Sequence, residues 1–253
     1  MNGLSPNDIE SKMAKTSSHP SDKPGICTLV IDIGGSGIKA LVLDSAGRPL
    51  TVRRRIKTPS RPAPAAVLKV IQLLAAEHAK FDRVSVGFPG VVRAGVTETA
   101  PNLSRKWFGF DLAEKLQSKL GKPVRVANDA DVQGFGAISG RGVELVITLG
   151  TGFGSALFVD GKLVPNLEVA HHAFLRGKTY EDLLGNAARK KVGNKKWNRR
   201  LGEAIRALEA LFNYDHLYIG GGNGKKVTLK LPQNVHMVPN VAGLLGGIAL
   251  WKG

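Results

Sequence analysis

Four short stretches of this chain hold residues that could do chemistry together. Two are glycine turns that follow apolar, β-branched runs: Asp32-Ile-Gly34-Gly35-Ser36-Gly37-Ile-Lys39 and Leu149-Gly150-Thr151-Gly152-Phe-Gly154. Such turns present successive backbone N–H groups with no side chain in the way, which suits them to phosphate oxygens. The third stretch, Asn128-Asp129-Ala-Asp131, directly follows another apolar run. An Asn-Asp pair there is either a turn or helix cap, because Asx side chains bond nearby backbone N–H groups, or a carboxylate delivered to a site. The fourth is Glu168-x-x-His171 followed by His172. Its spacing alone suggests a metal site. No cysteine ligands follow it, and the chain has one cysteine, Cys27, so zinc is rejected. The same single cysteine excludes an internal disulfide.

Charge adds a further clue. The chain carries 36 Lys and Arg against 20 Asp and Glu, a formal net charge of +16. A surplus of that size implies a polyanionic partner, because many weak contacts to a charged polymer add up and long-range attraction speeds encounter. Nucleic acid and inorganic polyphosphate both qualify. Aromatic residues make up only 6%, too few for a platform that stacks single-stranded bases. Between Gly185 and Arg200 lie seven cations with no carboxylate: Arg189, Lys190, Lys191, Lys195, Lys196, Arg199 and Arg200. A solvated helix end would explain such a run, and so would a track for a polyanion.

The elements that must position these groups can be traced along the chain. Its 253 residues, 43% apolar and 22% charged, suit one large domain or two lobes, and no apolar run approaches a bilayer span. Residues 1–25 are polar and aperiodic and are expected to form a flexible tail. They lack an apolar secretory segment, so a reducing cytoplasm is the expected compartment. Strands are expected at 27–32, 38–43, 50–57, 84–88, 123–127 and 216–219, and helices at 65–80, 111–120, 180–191, 198–212 and 241–251. Asp111 and Glu114 read as an N-terminal cap, and Gly121 as a C-terminal stop. A search for self-similarity aligns Asp32 to Asp44 without gaps on Thr148 to Asp160, with identities at Gly34/Gly150, Ala40/Ala156, Leu41/Leu157 and Asp44/Asp160. This predicts two lobes built on one plan, divided into 26–127 and 128–253, with the two glycine turns facing across a cleft.

The ordered set Asp32-Ile-Gly-Gly-Ser-Gly-Ile-Lys39, Val126-Ala-Asn-Asp-Ala-Asp131, Leu149-Gly-Thr-Gly-Phe-Gly154 and Ile219-Gly-Gly221-Gly222 resembles the motifs of the ROK sugar kinases, and within them the bacterial polyphosphate glucokinases. The resemblance runs from about Leu29 to Trp251. It implies an α/β, two-lobe, actin-like (ribonuclease-H-like) fold with a duplicated β-sheet core and an interlobe cleft. It also implies a Mg²⁺-dependent kinase acting on the 6-hydroxyl of a hexose, usually as a homodimer. Asp129 then matches the catalytic general base and Asn128 a sugar-hydroxyl ligand. Asp32 would orient Mg²⁺, indirectly or through water, and the transferring phosphoryl group. Ser36 and the amides of Gly34, Gly35 and Gly37 would meet phosphate oxygens. Lys39 either adds a point charge there or is an ordinary strand residue facing solvent. Gly150, Thr151, Gly152, Gly221 and Gly222 would hold the donor phosphates. Sugar recognition would fall to Asn102, Asn128, Asp129, Glu168, His171 and Glu181. Ala170 stands where the family's Glu-x-Gly-His has glycine. The zinc-binding cysteine cluster of many relatives is absent.

Within that resemblance the basic run points to the donor. ATP offers three phosphates, too few to use such a field, whereas inorganic polyphosphate leaving the cleft would lie along Lys190, Lys191, Lys195, Lys196, Arg199 and Arg200. Arg53, Arg54, Arg55, Lys225 and Lys226 would extend the track. The expected activity is therefore a glucokinase using polyphosphate, with ATP as a further donor. The alternative is a strictly ATP-dependent hexokinase with an incidental basic surface. A DNA-binding, non-catalytic ROK regulator is disfavoured, because 1–24 is too short and polar for a helix-turn-helix and Asp129 is retained. No DNA or membrane partner is expected.

Overall fold

The computed structural model describes residues 25–251 apart from Ala79, Asn102, Asn240 and Val241. Except for Gly25, the expected tail lies outside the described residues.

The first lobe is a five-stranded sheet. β1 (Thr28–Ile33) and β2 (Ile38–Leu43) form the hairpin around the first glycine turn, and β3 (Arg54–Ile56) pairs antiparallel with β2. Helix α1 (Pro64–Ala76) leads to β4 (Arg83–Phe88), which lies parallel to β1. Three two-residue strands, β5 (Val92–Arg93), β6 (Val96–Thr97) and β7 (Phe110–Asp111), make a small sheet before α2 (Leu112–Leu120) and β8 (Val124–Asn128). The α2 boundaries follow the residues: the Glu114 N–H donates to Asp111 Oδ1 at 2.8 Å, and Gly121 ends the helix at φ 63°. β1 and β2 are apolar apart from Thr28, Asp32 and Lys39, because both of their faces are covered, as buried strands require. Leu29, Ile31 and Ile33 meet α1 through Val67, Ile71 and Leu74, while Val30, Leu41 and Leu43 pack on the other side.

The second lobe repeats the plan. α3 (Asp129–Phe135) precedes the hairpin of β9 (Val143–Leu149) and β10 (Phe153–Val159), then β11 (Lys162–Val164). After the short pair β12 (Ala173–Leu175) and β13 (Lys178–Thr179) come α4 (Tyr180–Leu184), α5 (Asn186–Phe212), β14 (His216–Gly220) and β15 (Val235–Met237). The sheets run β3-β2-β1-β4-β8 and β11-β10-β9-β14-β15, with matching antiparallel and parallel neighbours. The duplicated core expected from the repeat is therefore present. Its gapless alignment is off by one residue in the second strand. The first turn joins paired Ile33 and Ile38, whereas the second joins paired Leu149 and Phe153 and is one residue shorter. Lys39 thus corresponds to Gly154, since Asp32 pairs with Lys39 and Thr148 with Gly154. A one-residue slip matters because it exchanges the faces of a strand.

Other expectations shift as well. The strand expected at 50–57 narrows to β3. The helix expected at 180–191 divides at Gly185, which is extended at ψ 161°. α5 then contains a break at Gly193 (φ 77°, ψ 160°), a conformation open to glycine and costly for any residue with a Cβ.

The chain ends in α6 (Ala242–Leu245) and a 3₁₀ segment, Gly246–Trp251. The division at 127/128 assigns this segment to the second lobe, and it packs both on α3 and on the first sheet. Leu244 and Ile248 cover Val30, Leu41 and Leu43; Ser85 Oγ donates to the Gly247 carbonyl at 2.7 Å; and the Trp251 indole N–H donates to Ser85 Oγ at 2.8 Å. The guanidinium groups of Arg83 and Arg125 lie 4.8 and 4.7 Å from the Trp251 ring, within cation–π range. A methyl at buried Gly246 would collide with the Val132 carbonyl of α3 and lie 2.7 Å from Gly136 N. Gly246→Ala is therefore expected to cost about 1–3 kcal/mol by overpacking. That corresponds to roughly 2–10 °C in a thermal melt; an unchanged midpoint would contradict this junction.

Candidate active site

The strands that carry the glycine turns end at the same cleft, which has a volume of about 460 Å³. A methyl built on Gly35 would sit 3.4 Å from Thr151 Oγ1, so the two turns face one another closely. Asp32, the turn 34–37 and Lys39 form one wall, and the turn 150–152 with Gly221 and Gly222 forms the opposite wall. Asn128 and Asp129 reach the cleft at the junction of β8 and α3, and Glu168, His171 and Glu181 line it as well. The structure thus brings together the expected site residues apart from the basic run and Asn102, which lies outside the described residues.

The close contacts explain why glycine is needed. Gly221 holds φ 88° with the Leu149 backbone against its Cα, and a side chain at Gly152 would meet Glu181 Oε2. Glu181 Oε2 also accepts from Phe153 N–H at 3.4 Å, which places it beside the second turn.

Asn128 caps a helix and lines the cleft at once. Its Oδ1 accepts from Ala130 N–H at 2.7 Å and Asp131 N–H at 3.3 Å, and its Nδ2 donates to the Gly90 carbonyl at 3.1 Å. The cap fixes where α3 begins and hence where Asp129 points. Burial raises the Asp129 carboxyl to about 8, helped by the negative charges of Asp32, Glu168 and Asp131. Asp131, on the same helix turn but outside the cleft lining, is raised to about 7 by burial and by Glu168, against a backbone bond from Asn166. A carboxyl poised near neutrality in a cleft suits general acid–base work.

Lys39 is not a solvent-facing strand residue. Its ammonium lies 2.5 Å from Asp32 Oδ2, its direct cross-strand partner. The repeat puts Thr148 and Gly154 in the corresponding places, so this pair of charges sits on one wall only. Burial raises the Glu168 carboxyl, and His171 counters this, with its Nε2 3.6 Å from Glu168 Oε2.

The helix that carries the basic run starts at the cleft, while its cations lie outside the cleft lining. Asn186, the first residue of α5, lines the cleft, and the Arg189 guanidinium donates to Asn186 Oδ1 at 3.0 Å and Asn194 Oδ1 at 2.9 Å, bridging the break at Gly193. Lys190, Lys191, Lys195, Lys196 and Arg199 are exposed, and Arg200 is half-buried. None of these is in an ion pair among the described residues. Asn198 Nδ2 donates to the Lys226 carbonyl at 2.9 Å, which brings the loop bearing Lys225 and Lys226 against α5.

Some site residues were not found from sequence. Gln133 lines the cleft one helical turn after Asp129, a spacing that could have marked it, and Thr148 occupies the place of Asp32 in the repeat. Asn223, whose Nδ2 donates to the Gly150 carbonyl at 2.9 Å, had no local signal. Among the described residues, no group of three or more His, Cys, Asp and Glu side chains is arranged to hold a metal, and no helix is long and apolar enough to cross a membrane.

Comparison with known proteins places this geometry. Residues 28–170 match the model of the ROK family. Polyphosphate glucokinase of Mycobacterium tuberculosis is 31% identical over 92% of this chain and 96% of its own length. The crystal structure of inorganic polyphosphate/ATP-glucomannokinase from Arthrobacter sp. strain KM superposes with a TM-score of 0.82 at 35% identity, covering 90% of this chain and 100% of that one. A ROK family glucokinase from Streptomyces griseus, in complex with glucose and AMPPNP, shares the fold at a TM-score of 0.76 and 21% identity, covering 90% of this chain and 100% of that one.

Proposed function

The chain belongs to the ROK family, and from that premise we propose that it is a glucokinase that moves a phosphoryl group from inorganic polyphosphate, or from ATP, to the 6-hydroxyl of glucose. The observation that carries this is the pair of facing glycine turns with buried Asp129 lining the same cleft. Relatives named for polyphosphate at 31% and 35% identity support the donor, as does the basic run on the helix that starts at the cleft, which has no ion pair among the described residues.

In this scheme the turns hold the donor through backbone N–H groups, and Glu168, His171 and Asn128 orient the sugar. The hydroxyl proton passes to ionised Asp129 while the sugar oxygen bonds to phosphorus. The bond from phosphorus to the donor oxygen breaks, and the leaving phosphate keeps the electron pair. The groups that raise Asp129 make it a stronger base once ionised. Lys39 takes up Asp32 Oδ2, and the other oxygen has no hydrogen-bond partner among the described residues. That suits Mg²⁺, which keeps several waters and takes one or two carboxylates plus substrate phosphates rather than a full protein cage. Asp32 would hold it, and when bound it neutralises charge on the phosphate oxygens.

A coupled assay with glucose and either donor tests the proposal, and no glucose 6-phosphate with either would end it. Product with ATP alone would favour the strictly ATP-dependent kinase, which the cleft itself would also serve. Glu168→Gln and His171→Ala are each expected to raise the glucose KM by roughly 5–150-fold, the equivalent of about 1–3 kcal/mol for a buried hydroxyl left unpaired. Unchanged KM values, with the loss confined to folding, would return both residues to structural roles.

A further inference from the structure

The first glycine turn carries one more cation than its fold requires. β1, β2 and β3 set Asp32 opposite Lys39 and Lys39 opposite Arg55, one acid and two bases in a row across the sheet. Like charges directly opposite on neighbouring strands destabilise a sheet, and a local rule broken in this way tends to mark a functional site. Lys39 is matched by Asp32 at 2.5 Å, and the neighbouring Arg54 reaches Glu77 at 3.7 Å. Arg55 has no carboxylate partner among the described residues. Its Nη2 donates to the Ser36 carbonyl at 2.8 Å, and the guanidinium lies so close over Gly37 that a Cβ there would have to displace it.

Arg55 is exposed, and it stands at the rim of the cleft rather than among the residues lining it. One hydrogen bond uses one of five guanidinium donors, so a planar fork remains, braced against the turn that meets the phosphate. That geometry suits the oxygens of a phosphate better than the point charge of a lysine would. The basic run lies on the second lobe, whereas Arg55 lies on the first. A phosphate chain between the turns would therefore be gripped from both walls.

We propose that Arg55 is a phosphate-binding residue, set by the row Asp32, Lys39, Arg55 to contact a non-bridging oxygen of the phosphoryl group at the first glycine turn. This sets it apart from a general track for long polyanions and rests on the phosphoryl-transfer reading of the cleft. Because polyphosphate and ATP both present that group, losing the contact should affect the two donors alike.

Arg55→Ala and Arg55→Lys test this with three readouts. Both variants are expected to lower kcat/KM for both donors, the alanine by roughly 10²-fold, as for loss of one donor to a developing oxyanion. The glucose KM and the melting temperature should not move, and added guanidinium ion should restore part of the alanine variant's rate. Inorganic triphosphate, titrated calorimetrically, should bind the alanine variant more weakly, with a salt slope shallower by about one charge. Wild-type kinetics and wild-type triphosphate affinity in Arg55→Ala would overturn the proposal. So would a loss accompanied by a shifted melting temperature and no guanidinium rescue, since Arg55 would then only brace the turn. If the wild-type protein transfers no phosphoryl group, the reading of the cleft fails, and the triphosphate titrations still decide on Arg55.

Discussion

Asp129→Asn is expected to leave a folded, glucose-binding protein whose turnover falls by about 10²–10⁴-fold, the usual loss when a general base is removed. The amide keeps the shape of the carboxylate at the start of α3 but cannot take the hydroxyl proton. Asp129 is raised to about 8 by burial and by Asp32, Glu168 and Asp131, so the wild-type enzyme must lose that proton to act. The rate should fall as pH drops below this region, with an apparent value shared by the carboxylate cluster. The stability effect has the opposite sense. A carboxyl raised on folding binds a proton that the unfolded chain has already released, so stability is lost as pH climbs from about 4 to about 8. Asn carries no such proton, so Asp129→Asn should melt no lower than wild type at pH 8. Near wild-type turnover, or a clear drop in melting temperature at pH 8, would contradict the assignment.

Replacing Lys190, Lys191, Lys195 and Lys196 with Ala is expected to raise the KM for long polyphosphate far more than that for ATP. All four are exposed and free of ion pairs among the described residues, on a helix whose first residue lines the cleft. A long polyanion can touch the whole run at once, whereas ATP meets mainly the two turns. Wild-type affinity for polyphosphate should fall steeply with salt, by analogy with counterion release from nucleic acids, and the slope should flatten by roughly the number of cations removed. Kinetics measured with both donors across a salt series decide the matter. Parallel changes for the two donors would make the run a solvated surface. The quadruple variant differs from Arg55→Ala in this respect: the track should separate the donors, and Arg55 should not.

Several site elements were legible because their causes are local. A glycine run between β-branched strands makes a tight turn whatever surrounds it, so both glycine turns were visible, as was their repetition. Asp111, Glu114 and Gly121 punctuate α2 as their own backbone bonds require. The one-residue difference between the turns was not legible, because the two hairpins keep similar residues while their pairing register differs. The break at Gly193 hid inside a helical composition, since a glycine in a polar run gives no sign of which backbone region it will occupy.

Sequence by itself determined the duplicated α/β plan, the order of the motifs and the surplus of positive charge, because apolar periodicity, turn residues and formal charge are properties of neighbours in the chain. Tertiary structure alone decided which charges meet. It turned Lys39 onto Asp32, set Arg55 over Gly37, brought Glu181 from α4 to the second turn, and raised the proton affinity of Asp129 through groups as far away in sequence as Asp32 and Glu168. It also laid the last turn of the chain on the first sheet, where Trp251 meets Ser85, Arg83 and Arg125. These outcomes depend on distances and desolvation between residues far apart in the chain, which no local pattern encodes.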